Sequence, residues 1–285
     1  MAKTVVVLGA RNLGGAIIDH FLERGWNAAG VARSEDTLAR VSERGALAMK
    51  ADASDPESLH LALGNAREQY GSLDAVVNAV SAYRAPAGGA FGGGEVAAAD
   101  LEAFRGWAVA VAEQAFVFLT AGAAALQANG GGALVQITGG SSKRAYPGRG
   151  LWAAGAFATR ALVQAAAQEL RGRGIHVALL AVDATIESPK TEAFTRGADR
   201  DALADMSEIA RAVMYLVEQG SRGLTHVLQV TPAAERWLPS PRAARRPSWR
   251  RTRPRMGRSR RPGRSRLRRS PSRRPGHRSA RRTPR

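Results

Sequence analysis

The sequence predicts an α/β fold: a single doubly wound domain whose seven-stranded, mostly parallel sheet carries helices on both faces, followed by a tail that cannot fold with it. Short β-branched runs alternate with longer Ala- and Leu-rich stretches of helical period, the pattern of repeated βαβ units. The composition then breaks near residue 238. Residues 239–285 hold 20 arginines and 8 of the 13 prolines, and no Asp, Glu, Lys, Ile, Val, Phe or Tyr. Without those arginines the formal charge of +18 becomes −2, from 22 basic and 24 acidic residues in 1–238. That part is near neutral and long enough for one sizeable core.

Each element follows from local chemistry. "KTVVVLG" (3–9) is a strand, "LGGAIIDHFLERG" (13–25) a helix stopped by Gly25, and "NAAGVAR" (27–33) a second strand. A short helix over "EDTLARVSERG" leads to the third strand, "ALAMKAD" (46–52). Asp55 and Pro56 then open a helix to Tyr70, because an Asp cap and a Pro at the first helical position both suit unpaired N–H groups. "SLDAVVNAV" (72–80) is the fourth strand, and the flexible glycine cluster "GGAFGGG" (88–94) is a loop. One long helix is expected from Asp100 to Gln127, then a strand over "GALVQIT" (132–138) and an Ala-rich helix from Leu151 to Leu170. "IHVALLAV" (175–182), the helix 207–220 and "THVLQV" (225–230) complete the order, with no internal repeat.

Composition excludes several chemistries. With no cysteine there is no disulfide, thiolate nucleophile or cysteine-ligated metal. "MAKTVVVLGA" reads as a strand rather than a signal peptide. The stretch 106–126 is long and apolar enough to span a bilayer, but Glu113 and Gln114 fall near its middle, where lipid would penalise them. A buried or interface helix is expected there, in a cytoplasmic protein that has no membrane partner. His20, His60, His176 and His226 are scattered without metal-ligand spacing, so no metal site is expected.

Between the first strand and helix, "VVVLGARNLGGAI" sets glycines where backbone N–H groups and a helix N-terminus face a pyrophosphate. A tight turn that binds nothing is the competing reading. Over residues 3 to about 232 the chain resembles the short-chain dehydrogenase/reductase family, whose Rossmann domain binds a dinucleotide. That family's turn is Gly-x-x-x-Gly-x-Gly; Gly9 and Gly15 match its first and third glycines, while Leu13 stands at the second with Gly14 beside it. The resemblance implies cofactor contacts from Gly9, Arg11, Asn12, Leu13, Gly14 and Gly15. Arg33 ends the second strand where NAD-preferring members keep an acid. With Ser34 and Arg11 it offers donors to a 2′-phosphate, which favours NADP over NAD. Arg33 and Arg11 also suit a solvated surface. Asp52 resembles the adenine-contacting acid or is an ordinary loop Asp. Asn78 and Ala79 match the start of the Asn-Ala-Gly motif, with Val80 for its glycine. Asp183 and Ala184 replace a Pro-Gly turn, and Ile186 falls where the backbone meets the nicotinamide carboxamide.

The resemblance also implies a catalytic tetrad, and here the chain departs from it. Reducing a carbonyl by hydride transfer needs an acid, supplied in the family by a Tyr one helical turn before a Lys. In register those places hold Trp152 and Ala156; the serine place holds Gly139 and the asparagine place Ala112. An indole N–H donates a hydrogen bond but is no physiological acid, and a methyl group does neither job. The loop "TGGSSKRAYPGRG" offers Ser141, Ser142, Lys143 and Tyr146 as substitutes, against the reading that these are turn and surface residues. The readings left open are an oxidoreductase with an unconventional acid acting on an unidentified small-molecule substrate, and a non-catalytic nucleotide-binding or scaffold protein. Self-association through helices 100–127 and 151–170 is implied by the resemblance; one buried helix pair is the alternative.

The tail admits three readings. It is a nucleic-acid arm with strong salt dependence, an appendage without a core, or the product of a frameshift, since GC-rich codons read out of frame yield Arg, Pro, Ser, Gly and Ala.

Overall fold

The computed structural model describes residues 2–235. The arginine-rich segment 239–285 lies outside the described residues, and with it the nucleic-acid reading. Seven strands form one sheet: β1 Thr4–Leu8, β2 Asn27–Ala32, β3 Leu47–Lys50, β4 Ala75–Asn78, β5 Gly132–Gly139, β6 Ile175–Val182 and β7 Val227–Val230. Their order is β3-β2-β1-β4-β5-β6-β7, and every neighbouring pair runs parallel.

Helices cover both faces, as an all-parallel sheet requires. Along β1 the side chains alternate. Val5 and Val7 pack with Ile17, Ile18 and Phe21 of α1 (Leu13–Glu23) and with Ile209 and Val213 of α8 (Met206–Val217). Val6 and Leu8 face the opposite layer, with Leu59 and Leu63 of α3 (Pro56–Tyr70), Phe118 of α5 (Ala110–Ala128) and Val163 of α6 (Gly150–Arg171). The period of two is legible in the sequence only faintly, because both faces are apolar. Smaller helices are α2 Glu35–Glu43, α4 Leu101–Phe104 and α7 Glu192–Thr195.

The single helix expected over Asp100–Gln127 is interrupted. Asp100 Oδ1 accepts a hydrogen bond from Ala103 N at 2.7 Å and opens α4; a π-helical stretch, Arg105–Val109, then precedes α5. The cause lies beside it. A Cβ at Gly106 would overlap the Arg84 carbonyl oxygen, and Arg84 N donates to Gly106 O at 2.8 Å, so a segment of loop is strapped onto the helix where its turn widens. The stretch Leu101–Ala128 contains an 18-residue window of mean hydropathy 1.7, long and apolar enough to cross a membrane, yet in the fold it packs on the sheet between α3 and α6.

Candidate functional site

The strand order reverses between β1 and β4, and a crevice opens at the carboxyl ends of strands on either side of such a point. Gly9 leaves β1 with φ +81°, a conformation glycine adopts without strain, and a Cβ there would stand 2.9 Å from the Ala79 carbonyl oxygen. The turn is therefore pressed onto the end of β4. Gly14 is the second requirement: its Cβ would overlap the Gly9 carbonyl, so it lets α1 start directly against the turn. Gly15 is less confined, with Ala10 O at 3.3 Å from a built Cβ. Leu13 is the first residue of α1 and packs against the α1/α8 core layer. Asn12 precedes it without making a side-chain cap, and no acid stands in the first turn of α1. Its leading N–H groups are left for an anion.

The carboxyl end of β2 brings together residues that the sequence reading took separately. Arg33 follows the last residue of β2, and its Nη1 lies 3.6 Å from Asp52 Oδ2 in an open ion pair. Ser34 precedes α2 at its N-cap, its hydroxyl donating to Thr37 Oγ1 at 2.8 Å, and Arg11 is exposed on the turn. Asp52 also accepts a hydrogen bond from Ser54 N at 2.9 Å.

The floor of the crevice is a polar network that the sequence did not announce. Asn78 is fully buried, and its Nδ2 donates to Gln114 Oε1 and to Gln136 Oε1, both at 2.8 Å. Gln114 Nε2 reaches the Ala53 carbonyl at 3.2 Å, Gln136 Nε2 the Ile137 carbonyl at 2.8 Å, and Asn78 Oδ1 receives Val80 N. Four segments are thereby tied by amides with every group paired. The available signal was a lone Gln inside each of two apolar runs, "AEQAFVF" and "ALVQITG".

Farther along the sheet, Asp183 at the end of β6 lies against Gly140, where any Cβ would overlap its carboxylate. Gln229 Nε2 donates to Asp183 Oδ2 at 3.0 Å, Arg144 pairs with it at 3.6 Å, and Lys143 Nζ donates to Gln229 Oε1. Lys143 is thus committed to β7, while Tyr146 lies under the Arg144 guanidinium at 5.0 Å from its ring centre. The Ser142 hydroxyl turns back to the Gly139 carbonyl at 2.9 Å, and Ser141 is buried. The Ile186 carbonyl accepts the Thr191 hydroxyl at 2.6 Å, and its residue bridges to Ala204.

On α6, Ala156 is buried and Trp152 joins an aromatic group with Tyr83, Phe91 and Trp107. Ala112 is partly buried on α5, and at Gly139 a Cβ would touch nothing nearer than Val182 O at 3.8 Å, so a side chain there is sterically allowed. Neither Trp152 nor Ala156 exchanges protons. His176 and His226 stack edge to face between β6 and β7; burial pushes the His176 imidazole below its usual range.

A glycine turn at the head of an all-parallel doubly wound sheet, with cationic and hydroxyl donors after β2, defines a dinucleotide-binding class of fold. The family model for short chain dehydrogenases matches residues 3–196, and the chain belongs to that family. No curated protein matches the chain by sequence. Among solved structures, a short-chain type dehydrogenase/reductase from Mycobacterium ulcerans is 21% identical, with a TM-score of 0.70 over 80% of this chain and 88% of its own. ElxO with NADP bound is 17% identical, TM-score 0.71, over 81% and 97%. An alcohol dehydrogenase from the archaeon Thermococcus sibiricus, complexed with 5-hydroxy-NADP, is 23% identical, TM-score 0.65, over 83% and 99%.

Proposed function

We propose that this protein is a cytoplasmic NADP(H)-binding member of the family whose carbonyl-reducing proton path has been lost. The observation that carries the reading is the contrast between the two ends of the crevice. At one end the glycine turn, the uncapped α1 and the Arg33/Ser34 pair fit a phosphorylated adenosine. At the other, α6 presents Trp152 and Ala156, and the substitutes Lys143 and Tyr146 are engaged with Gln229 and Arg144. Two similar structures hold NADP or a derivative of it, which supports the cofactor, although another, a 3-ketoacyl-(acyl-carrier-protein) reductase from Brucella melitensis, holds NADH.

When bound, the dinucleotide supplies hydride chemistry. The chain's own contribution is to hold the pyrophosphate on the α1 N–H groups and the 2′-phosphate beside Arg33. General acid assistance is worth about a hundred- to ten-thousandfold in rate, so turnover of ordinary carbonyl substrates is expected near background. Calorimetry tests the binding half: Arg33→Glu is expected to weaken NADPH by about ten- to a hundredfold, the size of a charged hydrogen bond, and NADH far less. Equal losses for both nucleotides would remove Arg33 from phosphate recognition. If any turnover is measured, Tyr146→Phe is expected to leave it unchanged.

Exposed Phe116 on α5 and Phe157 on α6, at 55% and 44% of their surface, support self-association through this helix pair.

A further inference from the structure

We propose that Tyr83, Phe91, Trp107 and Trp152 form a binding shelf for a planar aromatic carboxylate. Trp107 is its floor, only 2% exposed. Tyr83 stacks on it with ring centres 4.6 Å apart and planes 15° apart, and Trp152 meets both edge-on at 5.4 and 5.5 Å. Phe91, at 5.2 Å from Trp107 and 5.7 Å from Trp152, remains 56% exposed, and Trp152 is itself only partly covered. A ring can therefore stack on Phe91 and Trp152 over an aromatic base.

The backbone builds the shelf. Gly106 admits the segment carrying Tyr83 onto the π-helical stretch. Gly155 admits α6 to the same stretch, with a Cβ there only 2.8 Å from Ala108 O and 3.0 Å from Trp107 O. Gly93 lies against Leu151, and Gly94 bridges to Arg149, which seats Phe91 beside Trp152.

Charge selects the ligand. Lys190 Nζ lies 5.2 Å from the Tyr83 ring centre and the Arg149 guanidinium 5.4 Å from that of Phe91. Among the described residues neither cation is paired with a carboxylate, and neither the Tyr83 hydroxyl nor the Trp152 indole N–H has a hydrogen-bond partner. Apolar faces flanked by two cations and two neutral donors, with no acid in the set, complement a flat ring bearing an anionic oxygen pair. Trp152 stands in register with the family's tyrosine at the far end of the same crevice, so an aromatic carboxylate would be a substrate-side ligand there, an assignment that rests on the nucleotide-binding reading.

The test is quenching of tryptophan fluorescence in the full-length protein by 4-nitrobenzoate, with 4-nitrobenzyl alcohol as the uncharged analogue. Saturable quenching is expected, with the carboxylate binding about tenfold more tightly than the alcohol. Lys190→Gln keeps every fluorophore and is expected to reduce that preference, Arg149 remaining; Trp152→Ala, checked for folding by circular dichroism, is expected to lose saturable binding. Quenching that stays linear in concentration, or a carboxylate preference untouched by Lys190→Gln, overturns the proposal. NADPH calorimetry on Lys190→Gln is expected to match the unaltered protein, so failure of the shelf and failure of the nucleotide reading are told apart.

Discussion

Asp205 shows how much one side chain decides. It stands at the N-cap of α8, where its Oδ1 accepts from Ser207 N at 2.8 Å, Ser207 Oγ at 2.5 Å and Glu208 N at 3.1 Å. The hydrogen bond from the Ser207 hydroxyl, then those from the two backbone N–H groups and the nearby Arg211 charge, hold its carboxyl below the usual carboxylate range. The folded state therefore binds its proton less readily than the unfolded chain. The stability it adds is fully present above the ordinary carboxylate value and is lost as pH falls through the lowered native one. Asp205→Ala is expected to cost about 1 kcal/mol at neutral pH, shrinking in acid, as urea unfolding at several pH values will show. A cap of this kind is readable in advance, and Asp55 was read so: its Oδ1 accepts from Ser58 N at 2.7 Å, with Pro56 next to it. Asn78 was legible only as a motif residue. Its partners Gln114 and Gln136 lie 36 and 58 positions away, and nothing local marks that separation.

At the scale of elements, strands and helices followed the alternation of apolar patterns closely, because each is set by neighbours along the chain. The π-helical break did not. "EAFRGWAVAVAEQ" has unbroken helical character, and its interruption depends on a loop arriving from residues 83–85. Gly106→Ala is expected to force that loop away, since the new methyl meets the Arg84 carbonyl, at a cost of about 1–3 kcal/mol. The measurement is loss of near-ultraviolet circular dichroism from the Tyr83–Trp107 stack together with a lower Tm. An unchanged spectrum would mean that the strap is not what brings the rings together.

Over the whole molecule, the two helical layers differ in what they leave uncovered. The α1/α8 layer exposes Tyr215 on α8, whereas the opposite layer exposes Phe116 on α5 and Phe157 on α6, two neighbouring helices. Replacing both by glutamate is expected to shift the protein to a smaller species in light scattering while leaving NADPH binding intact; an unaltered mass would place any assembly elsewhere. The sequence by itself determined the order of elements and the glycine turn, since these depend on patterns within one or two turns of chain. Only the tertiary structure decided that Arg33 faces Asp52, that Lys143 is held by Gln229 rather than by Tyr146, and that four aromatic rings from three separate stretches converge beside α6. The physical reason is that parallel strands joined by crossovers bring their carboxyl ends together across long separations in sequence, and a side chain's partner there is chosen by packing rather than by proximity along the chain.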